Sequence, residues 1–200
     1  MYPIGVRAQL GDGQRSRGLA ATGLLLFLKA LLLFPHLVIV AVLSYAAGLI
    51  AWIGYWVIAI TGSIPDFFFT FPTRTLEWSV RATGWLVSFD DAYPPFEWEN
   101  DSYSTQLTVN EQPGPRSRLL GVLGIVGLKG LALLPHILVL MFVGLAAGIA
   151  IWVGYVAILF TGKLPEGIYN FTLGAVRWGN RLTAWAYSLT DEYPPFSLST

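Results

Sequence analysis

The 200-residue chain has no cysteine, two histidines, two methionines and few charges, with 12 basic and 12 acidic side chains that cancel. The missing cysteine excludes disulfides, thiolate nucleophiles and Cys-ligated metals. No basic cluster exists to neutralise phosphates, so nucleic acid is not an expected partner. Charged residues make up 12%, against about a quarter in ordinary soluble domains. Apolar residues reach 54% and mean hydropathy is +0.59, which together point to a membrane protein. Eight Trp and nine Tyr suit anchoring at headgroup level. No Ser-His-acid set, nucleotide-cradling glycine loop, HExxH or carboxylate cluster is present, so an enzyme is not expected and no catalytic or metal-ligating residue is assigned. The first seventeen residues carry three arginines and an acid with no small-residue cleavage site behind a short core, so insertion without processing is expected.

What the chain does contain is a repeat. Leu28-Lys29, Pro35-His36, Ala46-Ala47-Gly48, Trp52, Gly54-Tyr55, Thr61-Gly62 and Pro65 recur 100 residues later as Leu128-Lys129, Pro135-His136, Ala146-Ala147-Gly148, Trp152, Gly154-Tyr155, Thr161-Gly162 and Pro165. The register holds through Trp78/Trp178, Arg81/Arg181, Trp85/Trp185 and Asp91 to Phe96 against Asp191 to Phe196, and 27 of the 76 pairs from 21/121 to 96/196 are identical. Upstream the offset becomes 101, with Tyr2 facing Tyr103 and Arg15-Ser-Arg17 facing Arg116-Ser-Arg118. The division expected is repeat 1 over 1–96, a polar linker over 97–102 and repeat 2 over 103–200. One such unit need not bury its apolar face alone.

Tyrosines aside, Lys29 and His36 are the only ionisable side chains from Leu19 to Ile60, and Lys129 and His136 the only ones from Leu119 to Phe160. Each run is about twice the roughly 20 residues needed for one crossing. Pro35 and Pro135 divide each into a shorter piece (19–34, 119–134) and a longer one (36–60, 136–160), since proline breaks a preceding helix and starts a new one. The longer piece can span; the shorter is either interfacial or half of an embedded hairpin. Thr-Gly and proline at 61–65 and 161–165 end the long helix and start another. Over 65–89 and 165–189 the pattern predicts amphipathic helices, with Asn170, Arg177, Asn180, Arg181 and Ser188 near one stripe and Glu77 placed to pair with Arg81. These helices either return through the bilayer or lie on its surface.

Alternation predicts four short strands, around Ile4 to Leu10, Phe96 to Glu99, Gln106 to Asn110 and Phe196 to Leu198. If they share one sheet, all repeat boundaries lie on one membrane face. The expected fold is therefore a mainly α membrane protein of two parallel tandem repeats, each a broken apolar helix pair plus an amphipathic helix, with a small extramembrane sheet. Arginines 7, 15, 17, 116 and 118 mark the sheet face, and both termini, as cytoplasmic in a multi-pass arrangement.

Three residue sets are candidate sites. Lys29, Lys129, Arg81 and Arg181, with Trp78 and Trp178, suit contact with lipid headgroups, the cations snorkelling from the apolar runs. His36 and His136 are equivalent by the repeat and are the alternative ligands for a haem or chlorophyll, although no further ligand motif supports a cofactor. Ala47, Gly48, Gly54, Ala147, Gly148 and Gly154 allow close helix packing, within the chain or to another subunit. The Asp-x-Tyr-Pro-Pro-Phe segments read as structural exits from the amphipathic helices. A non-catalytic accessory subunit of a larger membrane complex is the leading expectation, with a bilayer-shaping or lipid-binding hairpin protein as the alternative; membrane lipids and other membrane subunits are the expected partners.

The second repeat carries Lys129, Pro135, His136, Thr161, Gly162, Pro165, Arg177, Trp178, Arg181 and Asp191-Glu-Tyr-Pro-Pro-Phe196 in an order that resembles a bacterial membrane family known as domain of unknown function 4389. The first repeat departs at Ser63, where the pattern has lysine, and at Glu77, where it has arginine. The resemblance implies a tandem form in a bacterial cytoplasmic membrane and assigns no activity.

Overall fold

Proline and glycine punctuation sets the elements. A computed structural model describes residues 2–10, 12–110 and 114–199, except for the side chains of 26 and 27; the outer limits expected for the repeats, 1 and 200, lie outside the described residues. The order is β1 (Ile4–Arg7), α1 (Arg17–Leu24), α2 (Leu26–Leu32), α3 (Phe34–Thr61), α4 (Asp66–Leu86), β2 (Gln106–Val109), α5 (Arg118–Ile125), α6 (Leu128–Ala132), α7 (Leu134–Thr161) and α8 (Glu166–Ala186). Pro35 and Pro135 sit in the first turns of α3 and α7, where no amide is missed. Gly62 and Gly162 end these helices with φ of 74° and 77°, a left-handed cap that L side chains resist. The shorter apolar pieces break again, at Leu25 and at Val126-Gly127, and so are each two short helices.

Among the described residues two strands form rather than four. β1 pairs antiparallel with β2, centred on Val6 opposite Leu107. The segments at 96–99 and 196–199 are irregular, which corrects the four-strand expectation. Their carbonyls accept instead from arginine side chains, at Glu97 from Arg81 and at Ser197 and Ser199 from Arg181. These bonds draw each segment back along the helix that precedes it rather than beside a strand.

The repeats interlock. α1 packs on α7 and α5 on α3, so each repeat lends its first helix to the long helix of the other. Glycine makes the approach close enough: a Cβ at Gly23 would meet the Tyr155 ring at 2.7 Å, and one at Gly124 would lie 2.5 Å from Tyr55. Arg116 N–H donates to Gly62 O at 2.7 Å, and Arg15 N–H to Gly162 O at 2.9 Å, so each N-terminal segment also binds the end of the other repeat's long helix.

These bonds fix the helix directions. Arg116 binds both Gly62, before α4, and Leu189 O, after α8. Arg15 binds both Gly162, before α8, and the Ser88 and Phe89 carbonyls, after α4. The central pair α4 and α8 therefore runs antiparallel between the two arginines, over roughly 30 Å for 21 residues. α3 starts beside Ser88, which Lys29 reaches, and ends at Gly62; α7 starts beside Ser188 and ends at Gly162. The long helices are antiparallel too, which corrects the expectation that both run the same way across a bilayer.

Three layers result. On α8, Arg177 donates through Nε to Val6 O of β1, whereas Ile168, nine residues earlier and so on the opposite face, packs at Gly154 of α7. The sheet thus covers one side of the α4/α8 pair and the long helices the other. Leu76, Val80, Leu173, Ala184, Ile4 and Val6 are buried in the main core between them. The long helices turn Val42, Tyr45, Leu49, Trp52, Phe142, Leu145 and Ile149 outward, and leucines of α2 and α6 are exposed as well.

Gly124→Ala tests the interlock. Alanine in a free helix gains about 0.5–1 kcal/mol over glycine, but here the added methyl overlaps Tyr55, and overpacking costs about 1–3 kcal/mol. A net loss in thermal stability is expected in detergent, measured by circular dichroism; an increase would show that the ring has room to withdraw.

Candidate functional site

Both lysines are enclosed. Lys29 is 1% exposed and Lys129 3%, so neither reaches out to a headgroup, which corrects the snorkelling expectation. The Lys29 ammonium donates to Ser88 Oγ at 2.7 Å and sits 5.0 Å and 4.9 Å from the ring centres of Trp85 and Tyr155. The Lys129 ammonium donates to Ser188 Oγ at 2.9 Å and Trp185 O at 2.6 Å, between the rings of Trp185 and Tyr55. Each tyrosine belongs to the opposite repeat, and its hydroxyl donates to the last turn of the amphipathic helix, Tyr155 to Leu86 O and Tyr55 to Ala186 O. Ser88 and Ser188 hold φ of 60° and 58°, the left-handed region in which a non-glycine residue costs about 1–2 kcal/mol. Accepting a buried ammonium is what that backbone twist achieves.

The arginines are interior as well. Arg81 donates to Glu97 O at 2.6 Å and Arg181 to Ser199 O at 2.7 Å, each folding the segment after its helix back along that helix. Arg81 does not pair with Glu77 as expected from their spacing; Glu77 binds Arg74 at 2.8 Å, and Arg74 also reaches Glu99. Both Arg81 and Arg181, with Trp78 and Trp178, are buried and turned into the protein, which corrects their reading as headgroup contacts.

Each histidine is the centre of an aromatic stack. His36 Nδ1 accepts from Trp78 Nε1–H at 2.8 Å, and His136 Nδ1 from Trp178 at 3.0 Å. Phe96 and Phe196 stack on these imidazoles at centroid distances of 3.9 Å and 3.6 Å, with Tyr93 and Tyr193 at the edge. With Nδ1 accepting the indole N–H, the neutral imidazole carries its proton on Nε2, so neither nitrogen offers a lone pair to iron or magnesium, and the packed faces leave no room for a macrocycle. This corrects the cofactor alternative. The pairs Trp–His–Phe instead fix the Pro-Pro-Phe segments over the starts of α3 and α7.

The acids of those segments also have work that the sequence did not disclose. Asp91 and Asp191 accept from the backbone N–H of Ser16 and Ser117, each at 2.6 Å, just where Ser16 and Ser117 cap α1 and α5. Tyr2 and Tyr103 close the circuit, their hydroxyls donating to Glu192 O and Ala92 O. Burial pushes both phenols above the ordinary tyrosine range, so they remain donors at any physiological pH. Of the small residues, Ala47 is buried and Gly54 and Gly154 receive Phe68 and Leu164, while Gly48 and Gly148 have open space before them.

Two substitutions separate the ammonium from its acceptor. Lys129→Met replaces an enclosed charge with an apolar side chain of similar length, a change that is neutral or stabilising at many buried ion sites. Ser188→Ala instead strips an acceptor from a buried cation, a loss of about 1–3 kcal/mol. Chemical denaturation in detergent is expected to rank Ser188→Ala below both the parent and Lys129→Met; the reverse order would show that the ammonium itself holds the structure.

Two helices of the chain, Phe34–Thr61 and Leu134–Thr161, are long and apolar enough to cross a membrane by length and composition. No curated protein and no solved structure matches the chain. The sequence profile of one family matches twice, over residues 24–97 and 125–197, in register with the two interlocked repeats, and the chain accordingly belongs to the family described as domain of unknown function 4389, DUF4389.

Proposed function

We propose that this is a non-catalytic membrane protein that lies in a single leaflet, with α3 and α7 among the acyl chains and the sheet in water, and that it acts by binding lipid and spreading that leaflet. The observation that carries the reading is the antiparallel α4/α8 pair with the apolar helices on one side and the β1/β2 sheet on the other. Upright long helices would put the Arg15 and Arg116 ends on opposite membrane faces. The strands between those ends would then lie at bilayer depth with open edges, which hydrocarbon does not tolerate. Laid flat, the same molecule exposes apolar side chains to lipid and keeps its strands wet. A helix layer about 10 Å thick occupies much of one leaflet, half of a core of roughly 30 Å, and so spreads it without touching the other.

The bacterial cytoplasmic membrane is the proposed location, with both ends of the chain on the water side, as Tyr2 bonded to Glu192 suggests. An accessory place in a larger membrane assembly is a second reading. It is favoured by Gly48 and Gly148, whose open notches on the apolar face admit a partner helix.

The absence of cysteine makes the topology directly testable. Single variants Ser63→Cys and Lys163→Cys place a thiol in the exposed turn after each long helix. In sealed, oriented vesicles a membrane-impermeant maleimide is expected to label both from the same side. Labelling from opposite sides would mean that the long helices cross, and would end the single-leaflet reading.

A further inference from the structure

The two halves differ where the end of each amphipathic helix meets the long helix of the opposite repeat. In one half Tyr187 donates from its hydroxyl to Ser44 O at 3.3 Å, so that its ring bridges the space between α8 and the middle of α3. The equivalent residues in the other half are Val87 and Gly144. Valine is too short to bridge and glycine adds nothing, and between them opens an apolar cavity of about 850 Å³. That volume falls in the range of small-molecule sites, about 300–1,000 Å³.

The wall determines what the cavity accepts. Its buried polar side chains are engaged: the Lys29 ammonium with Ser88, Thr172 Oγ1 with Ile168 O and Tyr155 OH with Leu86 O. A polar guest would lose its water without gaining partners, whereas hydrocarbon loses nothing. The mouth is formed by Leu145, Ile149 and Trp152, which are exposed residues of the apolar face of α7. The cavity is thus continuous with the face that meets acyl chains.

We propose that this cavity is a binding site for one acyl tail of a bilayer phospholipid, the place that Tyr187 fills from within the chain in the other half. The tail lies along the Lys29 stem and the small residues of α7, and its headgroup stays at the mouth. The site rests on the single-leaflet reading only for its route of entry. The duplication gives one site per chain rather than two, because Tyr187 is an internal occupant.

The test exchanges the two residues. Full-length protein in detergent is incubated with dioleoyl phosphatidylglycerol, and retained lipid is counted by native mass spectrometry. The parent is expected to keep one lipid, Val87→Tyr none, and Tyr187→Val two. Val87→Tyr recreates a side chain that the pseudo-symmetric position already accommodates, with the Gly144 carbonyl as acceptor, and its folding is checked by thermal denaturation. Equal lipid retention by the parent and a folded Val87→Tyr, or none by the parent, would overturn the site. Opposite-side labelling of the two turn cysteines together with loss of lipid in Val87→Tyr would leave the site standing and remove the single-leaflet topology alone.

Discussion

Two buried ammonium groups set the terms for the rest of the molecule. Enclosing a lysine charge costs several kcal/mol. Here one or two charge-assisted hydrogen bonds, about 1.5–3 kcal/mol each, and two ring faces, up to about 2 kcal/mol each when desolvated, offset that cost. The compensation needs groups from three places at once: a serine held in a left-handed turn, a tryptophan one turn earlier, and a tyrosine from the other repeat. Neither repeat can complete its own cage, so each buried charge is satisfied only where the two copies meet.

The same reciprocity appears at each level of the structure. Asp91 and Asp191 anchor the segments that start α1 and α5, those helices wedge against the tyrosines of the other repeat, and Arg15 and Arg116 bind both ends of the central pair. Hydrogen bonds from arginine to backbone carbonyl, repeated at Arg81, Arg177 and Arg181, replace the ladders that a larger sheet would supply. Polar chemistry is thus spent inside and on one face. The other face exposes apolar side chains of the long helices.

Much of the element pattern is legible in the chain. Pro35, Gly62 and Pro65, with their copies, mark helix limits through rules that act within a few residues, and the amphipathic stripes of α4 and α8 follow from helical spacing. The repeat itself identifies which residues act in pairs. Less legible were the roles of those residues: a lysine in an apolar run reads as a snorkelling charge because its partners, Ser88 and Tyr155, are 59 and 126 positions away. Glu77 and Arg81 have the spacing for an ion pair, yet Arg74 and the Glu97 carbonyl compete successfully for them. The pairing of Tyr55 with Lys129, mirrored by that of Tyr155 with Lys29, is a signal that only a search for paired polar residues between repeats would raise.

By itself the sequence determined a duplicated, mostly helical chain with two long apolar helices, because composition, periodicity and punctuation are local properties. Only tertiary structure decided how the copies face each other. Direction of a helix relative to its neighbour depends on which distant carbonyl an arginine reaches, and the bonds of Arg15 and Arg116 turned two helices expected to run together into an antiparallel pair. Tertiary structure also decided that Val87 opens a cavity where Tyr187 closes one, since a difference of one side chain has meaning only against the helix that it faces.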